Sequence, residues 1–331
     1  MSARIRAGLR LQRFEILASL AAAIVLAGSA LLVWFRLTGL HVEGGCFTYL
    51  TGLGPVPPCT LGAGRDAALT AFNDLNFSDA NAVMLAMAVL PLLIGMVLGV
   101  GVVAPEIESG TAPSMWVLAR SRARWLWGRM LPSLVAAAAV LALLAVASQV
   151  LWLAREPYLP NPWLNFDDAS LHGAILVAKG LAAYGVALTV GALLGRTLPA
   201  VILATAVIWI GLSGTGTVAR SLWMQAEAPN HVVAADANGE VLAFPGGYIR
   251  GGGWLTSDGR KISDEEAWGM VPPGEADPDA WLASHLDRYY IGVPGDLFPA
   301  WDAAETAGYG AVAVLAVGAA FLVVRRRRPY V

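Results

Sequence analysis

Apolar residues gather along the chain into six long runs, at 16–35, 82–103, 131–153, 173–194, 199–218 and 305–324. Each run is about twenty residues long, and a helix rising ~1.5 Å per residue then crosses the ~30 Å of a bilayer's hydrocarbon. The pattern predicts an all-α membrane protein with six transmembrane helices. The polar stretches between the runs are uneven. Residues 36–81 form a loop of moderate length, and 154–172 a shorter one that carries Pro157, Pro160 and Pro162. Residues 219–304 are enough for a small folded domain between helices five and six. Hairpin signals occur there at Asn238-Gly239 and Asp258-Gly259, beside short runs such as 241–244 and 254–256. After Asp277-Pro278, the spacing of Trp281, Leu282, His285, Leu286 and Tyr289 predicts a short helix. This connection therefore reads as a small α+β domain. No internal repeat or low-complexity tract is present.

Composition supports the membrane reading. The 331 residues are 57% hydrophobic and only 14% charged, whereas soluble domains carry roughly 25% charged residues. That apolar excess is too large for one core and needs a second apolar solvent. The 12 Trp suit membrane–water interfaces, and suit ordinary packing equally well. No basic, aromatic-rich patch points to nucleic acid. Arg4, Arg6, Arg10 and Arg13 before the first run also match the start of a secretory signal peptide. That run is long for a signal core and five more follow, so it reads as an uncleaved first helix.

Charge orients the bundle. With the N-terminus in the cytoplasm, the inner segments hold Arg4, Arg6, Arg10, Arg13, Arg120, Arg122, Arg124, Arg129, Arg196 and Arg325 through Arg328. These are 13 of the 22 basic residues, against the acids Glu15, Glu106 and Glu108. The positive-inside rule then places both termini in the cytoplasm, as an even number of spans requires. The long outer segment is acidic, with 12 acids to 5 basic residues over 220–300. The chain divides into a cytoplasmic interfacial segment 1–15, helices one to five over 16–218, an extracellular domain 219–304, and helix six with a basic tail over 305–331. Cys46 and Cys59 both fall in the first outer loop. An oxidising exterior favours a disulfide between them, and two free thiols are the alternative.

The loop at 104–129 carries the densest pattern. It reads Ala104-Pro105-Glu106-Ile107-Glu108-Ser109-Gly110-Thr111, then Ala112 to Ala119, then Arg120-Ser121-Arg122-Ala123-Arg124-Trp125-Leu126-Trp127-Gly128-Arg129. Thr111 as cap and Pro113 in the first turn predict a short helix, with Met115, Trp116 and Leu118 as its apolar side. Glu106 and Glu108 lie just before it, near the positive end of its dipole. An ordinary loop whose arginines bind lipid headgroups and set topology would also contain such charges.

The order Glu-x-Glu-x-Gly-Thr, short helix, Ser-Arg-x-Arg-Trp-Leu-x-Gly-Arg resembles the ABC-2 type permeases, membrane subunits of bacterial ABC exporters. Six spans with cytoplasmic termini match that family's half-transporter. The local motif covers about 25 residues, and it departs from the pattern at Ala112-Pro113, where Leu is usual, and at Arg129, where Lys is usual. The resemblance implies a multi-pass protein of the bacterial plasma membrane. It implies pairing with a second permease, identical or related, and with two copies of an ABC ATP-binding subunit that holds ATP and Mg. Glu106, Glu108, Gly110, Thr111, Arg120, Arg122 and Arg124 would then lie at the ATPase docking joint. The start of the chain, with Ile5, Leu9 and Leu11 against four arginines, resembles the family's interfacial helix at headgroup level.

The chain has no G-x-x-x-x-G-K-[ST] phosphate loop, so no ATP site is expected in it. Leu212-Ser213-Gly214-Thr215-Gly216 looks like an ABC-ATPase signature, but lies in an apolar run and reads as a packing feature. Gly95-x-x-x-Gly99 and Gly191-x-x-x-Gly195 are candidates for close helix approach. Pro91 is a candidate kink in span two. Lys179 is the one clear charge inside a run, about two turns from its outer end. Such a residue is a candidate for the substrate pathway, although its stem can also snorkel outward. Trp209 and Trp223 read as interfacial anchors. His41, His172, His231 and His285 show no metal-ligand spacing, and no nucleophile–base constellation appears, so no catalytic, cofactor or metal residue is expected. The expected function is ATP-driven export of a lipophilic or amphipathic compound such as a drug, antibiotic, peptide or lipid. The rival is a membrane receptor or assembly platform acting through 219–304. A membrane-embedded enzyme would need more polar residues in the spans.

Overall fold

The computed structural model describes residues 12–43, 46–47, 59–119, 121–155, 157, 166, 170–228, 232–234, 247–274 and 277–327. Six helices among them are long and apolar enough to cross a membrane. Span one is Arg13–Gly39, span two lies in the helical run Gly62–Glu108, and span three is Arg122–Arg155. Span four is Ala174–Leu194, span five lies in Thr197–Glu227, and span six in Gly295–Arg326. Every predicted apolar run is found in one of them. Span three begins well before its apolar run, because Trp125, Leu126 and Met130 are buried and carry the helix into the loop. The predicted interfacial segment lies, apart from residues 12–15, outside the described residues.

Span four is the centre of the bundle. Two thirds of its most apolar stretch is buried (67%), against 17% for span six, so the outer helices present their apolar sides to lipid. Small residues let its neighbours approach. A Cβ added at Gly95 of span two would stand 2.1 Å from the Gly180 carbonyl oxygen, and one at Gly99 would stand 2.4 Å from that of Tyr184. The first G-x-x-x-G pair is therefore a packing seam. Gly191 meets only ordinary contacts, while Gly195 takes φ 62 and ends span four, so the second pair is not a matching seam. Span two is helical through Pro91, which is buried. Where spans three and four meet, the Tyr184 hydroxyl lies 2.7 Å from Ser133 Oγ and donates to the Met130 carbonyl, so a buried polar pair is satisfied.

Two π-helical stretches interrupt the spans, Asn76–Ala80 before span two and Val207–Ser213 in span five. Arg155 at the end of span three donates to Asn76 Oδ1 at 2.7 Å, beside the first of them. In the preceding loop Cys46 and Cys59 are joined in a disulfide. Arg65 donates twice to the Cys46 carbonyl, at 2.9 and 2.7 Å, and Phe47 packs edge-on against Phe72.

Between spans five and six the described residues form a four-stranded antiparallel sheet, in the order β1-β4-β2-β3. The strands are β1 Val232–Ala234, β2 Tyr248–Leu255, β3 Lys261–Ile262 and β4 Asp287–Val293. Asp258-Gly259 lies in the β2–β3 turn, as its hairpin signal predicts, with Trp254 paired to Ile262. Asn238-Gly239 and the run 241–244 lie outside the described residues. The predicted helix forms over Pro278–His285, capped by the Asp277 carboxylate, which accepts from the Ala280 N–H at 3.0 Å. Its extent needs correction, since Leu286 is already extended and Tyr289 belongs to β4. Tyr289 pairs with Gly253 on one side and Ala234 on the other, so a central-strand ladder replaces the helical turn its spacing suggested. The sheet and its helices enclose a small core of Trp254, Ile262, Ala267, Leu282 and Leu286.

Candidate functional site

The chain leaves span two at Val100 and forms two short helices, Ala104–Glu108 and Thr111–Leu118. Between them Gly110 takes φ 71, a left-handed conformation that costs a residue with a Cβ about 1–2 kcal/mol. This corrects the reading of Thr111 as cap. Gly110 holds the cap position and Thr111 is the first helical residue. The left-handed turn directs the Thr111 hydroxyl back onto the preceding helix, where it donates to the Glu106 carbonyl at 3.2 Å and lies 3.0 Å from Ser109 Oγ.

The second helix has two unlike faces. Ala112 and Trp116 are buried, whereas Val117 and Leu118 are 87% and 78% exposed. Trp116 is held edge-on by Trp125, with centroids 5.9 Å apart, and Arg122 lies 4.9 Å from its ring. A cavity of about 230 Å³ adjoins this face, lined by Met115, Leu118, Arg124, Trp125 and Arg129 among others. The exposed edge is thus apolar at its tip and basic at its base.

Charged groups tie the loop to the spans. Glu106 pairs with Arg129 of span three at 2.6 Å. Glu108 Oε2 accepts from the Thr197 N–H at 2.9 Å and from its hydroxyl at 2.6 Å, at the start of span five. Those two hydrogen bonds hold the Glu108 carboxyl below the usual carboxylate range. Arg122 donates to the carbonyls of Arg325 and Arg327 at the end of span six. Arg327 in turn donates to the Ala192 carbonyl of span four at 2.5 Å. The Arg124 N–H donates to Ser121 Oγ, which caps the start of span three. The structure thus brings Glu106, Glu108, Gly110, Thr111, Arg122 and Arg124 to one end of the bundle. Arg120 lies outside the described residues.

Sequence reasoning missed the partners. Arg129 was visible as a basic position of the motif but not as the partner of Glu106, which lies more than twenty positions away. Thr197 and Arg327 gave no local signal, because their contacts join residues 89 and 135 positions apart. Lys179 lies at the opposite end of the bundle from this loop, with its ammonium donating to the Ser170 carbonyl at 2.8 Å.

The sequence profile of the ABC-2 membrane transporter related family matches residues 15–220, which take in nearly all of span one, spans two to four, the tied loop and most of span five. No curated protein and no solved structure is matched. A profile match over more than half of the chain, on a six-span bundle with this loop, places the protein in the ABC-2 membrane transporter related family.

Proposed function

We propose that the chain is the permease subunit of an ATP-driven ABC exporter of lipophilic or amphipathic compounds. ATP would be hydrolysed, with Mg, in two copies of a separate ATP-binding subunit, and a second permease, identical or related, would complete the pathway. The protein would lie in a bacterial plasma membrane with both termini in the cytoplasm and 219–304 outside. The observation that carries this reading is the Thr111–Leu118 helix, whose exposed tip stands on a loop tied to spans three, five and six.

The coupling mechanism follows from those ties. A partner docking on Val117 and Leu118 covers exposed apolar surface, and Arg124 beside them fixes register. A rigid-body shift of the partner then moves the short helix. Glu106–Arg129, Glu108–Thr197 and Arg122 with the span-six carbonyls pass the shift to three spans together.

The test is co-purification with the ATP-binding subunit. Replacing Val117→Asp together with Leu118→Asp leaves the six spans untouched. The expected result is a correctly inserted permease that loses its ATPase partner and its transport. Undiminished co-purification and transport would overturn the docking role.

A further inference from the structure

Near the other end of the bundle, spans two, four, five and six surround a cavity of about 270 Å³. Its span-two wall is aliphatic, formed by Leu85, Ala88, Val89 and Leu92. The facing wall carries Lys179, Ser213, Arg220 and Glu305, and Trp209 and Tyr309 supply aromatic sides.

The charged groups of that wall are not equivalent. Glu305 Oε2 accepts from Ser170 Oγ at 2.6 Å and Trp301 Nε1 at 3.0 Å, and lies 3.5 Å from Arg220 Nη2. Arg220 also donates to the Ser170 hydroxyl. Carboxylate and guanidinium therefore compensate each other. Lys179 donates to one carbonyl, that of Ser170, and stands 5.5 Å from the Tyr309 ring. Among the described residues no carboxylate lies within 4.0 Å of its ammonium, and Glu305 and Asp302 act on it only from farther away. An ammonium has three N–H donors, so part of its donor capacity faces the cavity.

Snorkelling does not account for this placement. The stem reaches toward the end of the span but stops at Ser170, which is 4% exposed, and at Tyr309, 7% exposed. Taking an ammonium out of water costs several kcal/mol unless a partner compensates. Two features of the backbone mark the same place. The π-helical stretch Val207–Ser213 turns Trp209 and Ser213 onto the cavity, and Tyr309 donates to its Leu212 carbonyl at 3.0 Å. Ser170, which holds Lys179, has φ 69, uncommon for a residue other than glycine.

We propose that this cavity binds the anionic head, carboxylate or phosphate, of an amphipathic molecule, with Lys179 as its ion-pair partner and span two against its apolar body. A bilayer lipid and a free amphiphile both present that chemistry. Use of the site for cargo rests on the permease reading, whereas binding does not, so the test needs no ATPase.

Full-length protein in phosphatidylcholine nanodiscs is titrated with dodecyl phosphate and with uncharged dodecanol. Dodecyl phosphate is expected to bind about tenfold tighter or more, with Lys179→Gln removing the difference and Lys179→Arg keeping it. Ala88→Phe, which narrows the aliphatic wall and leaves Lys179 in place, is expected to weaken both ligands. It carries the test if Lys179→Gln does not fold. Displacement of dodecyl phosphate by phosphatidylglycerol in the nanodisc assigns the site to a lipid headgroup, and indifference to it assigns the site to a free amphiphile. Equal binding of the two probes to the native protein overturns the proposal. So does a Lys179→Gln protein that still prefers the phosphate, or an Ala88→Phe protein that binds both as before.

Discussion

Gly99 has room for hydrogen and little else. A Cβ there would stand 2.4 Å from the Tyr184 carbonyl oxygen and 2.9 Å from the Ala187 Cβ, both on the central helix. Gly28 of span one has nothing within 4 Å of the same position. Gly99→Leu is therefore expected to lower stability by about 1–3 kcal/mol or more through overpacking, while Gly28→Ala is close to neutral. Thermal unfolding of the purified variants in detergent measures the difference, and equal melting temperatures would refute the seam. Two candidate G-x-x-x-G seams, Gly95–Gly99 and Gly191–Gly195, were visible in the spans from sequence. Which of them packs depends on the helix opposite, and Gly195 instead serves a backbone conformation at the end of span four.

Short segments acquire fixed positions through side chains from distant elements. The turn before span four is pinned to span three in this way. His172 stacks on Trp152 at 4.0 Å, its Nδ1 lies 3.1 Å from Gln149 Oε1, and the Gly173 N–H donates to Ser148 Oγ. Burial pushes the His172 imidazole down from 6.5 to about 4. The folded protein thus favours the neutral ring, while an unfolded chain protonates it below about pH 6.5. The stability this contributes is complete above pH 6.5 and is lost as pH falls through 4. Melting temperature should therefore drop more steeply over that interval in the native protein than in His172→Phe, which keeps the stack and cannot titrate. Parallel pH profiles would show that His172 has no part in it. The short helix of loop 104–129 was legible from Pro113 and its apolar side chains. Its cap was not, because the choice between Thr111 and Gly110 depended on the helix preceding it.

Contacts at the two ends of the bundle agree with six alternating spans. Loop 104–129, the start of span five and the end of span six meet at one end through Glu108, Arg122 and Arg327. The loop before span four, the later part of span five and the start of span six meet at the other through Ser170, Arg220 and Glu305. Charge asymmetry predicts that the first of these ends faces the cytoplasm. Both native cysteines are bridged, so single added cysteines report topology cleanly. Asp258→Cys should react with an impermeant maleimide in intact cells, and Ser121→Cys only after permeabilisation. The reverse pattern would invert the topology.

Hydrophobic runs and arginine placement were enough to determine six spans, their expected orientation and the loop bearing the family motif. These are one-dimensional quantities, since bilayer thickness sets a run length and the positive-inside rule counts charges along the chain. The central position of span four, the ties from loop 104–129 to three spans and the cavity around Lys179 were decided only in three dimensions. Each joins residues far apart in the chain, and no local pattern encodes which distant helix will lie opposite. Lys179 shows the division most plainly. The sequence could mark it as a charge inside a span, but only packing shows that Glu305, on the same cavity wall, pairs with Arg220, while the ammonium faces an amphipathic cavity.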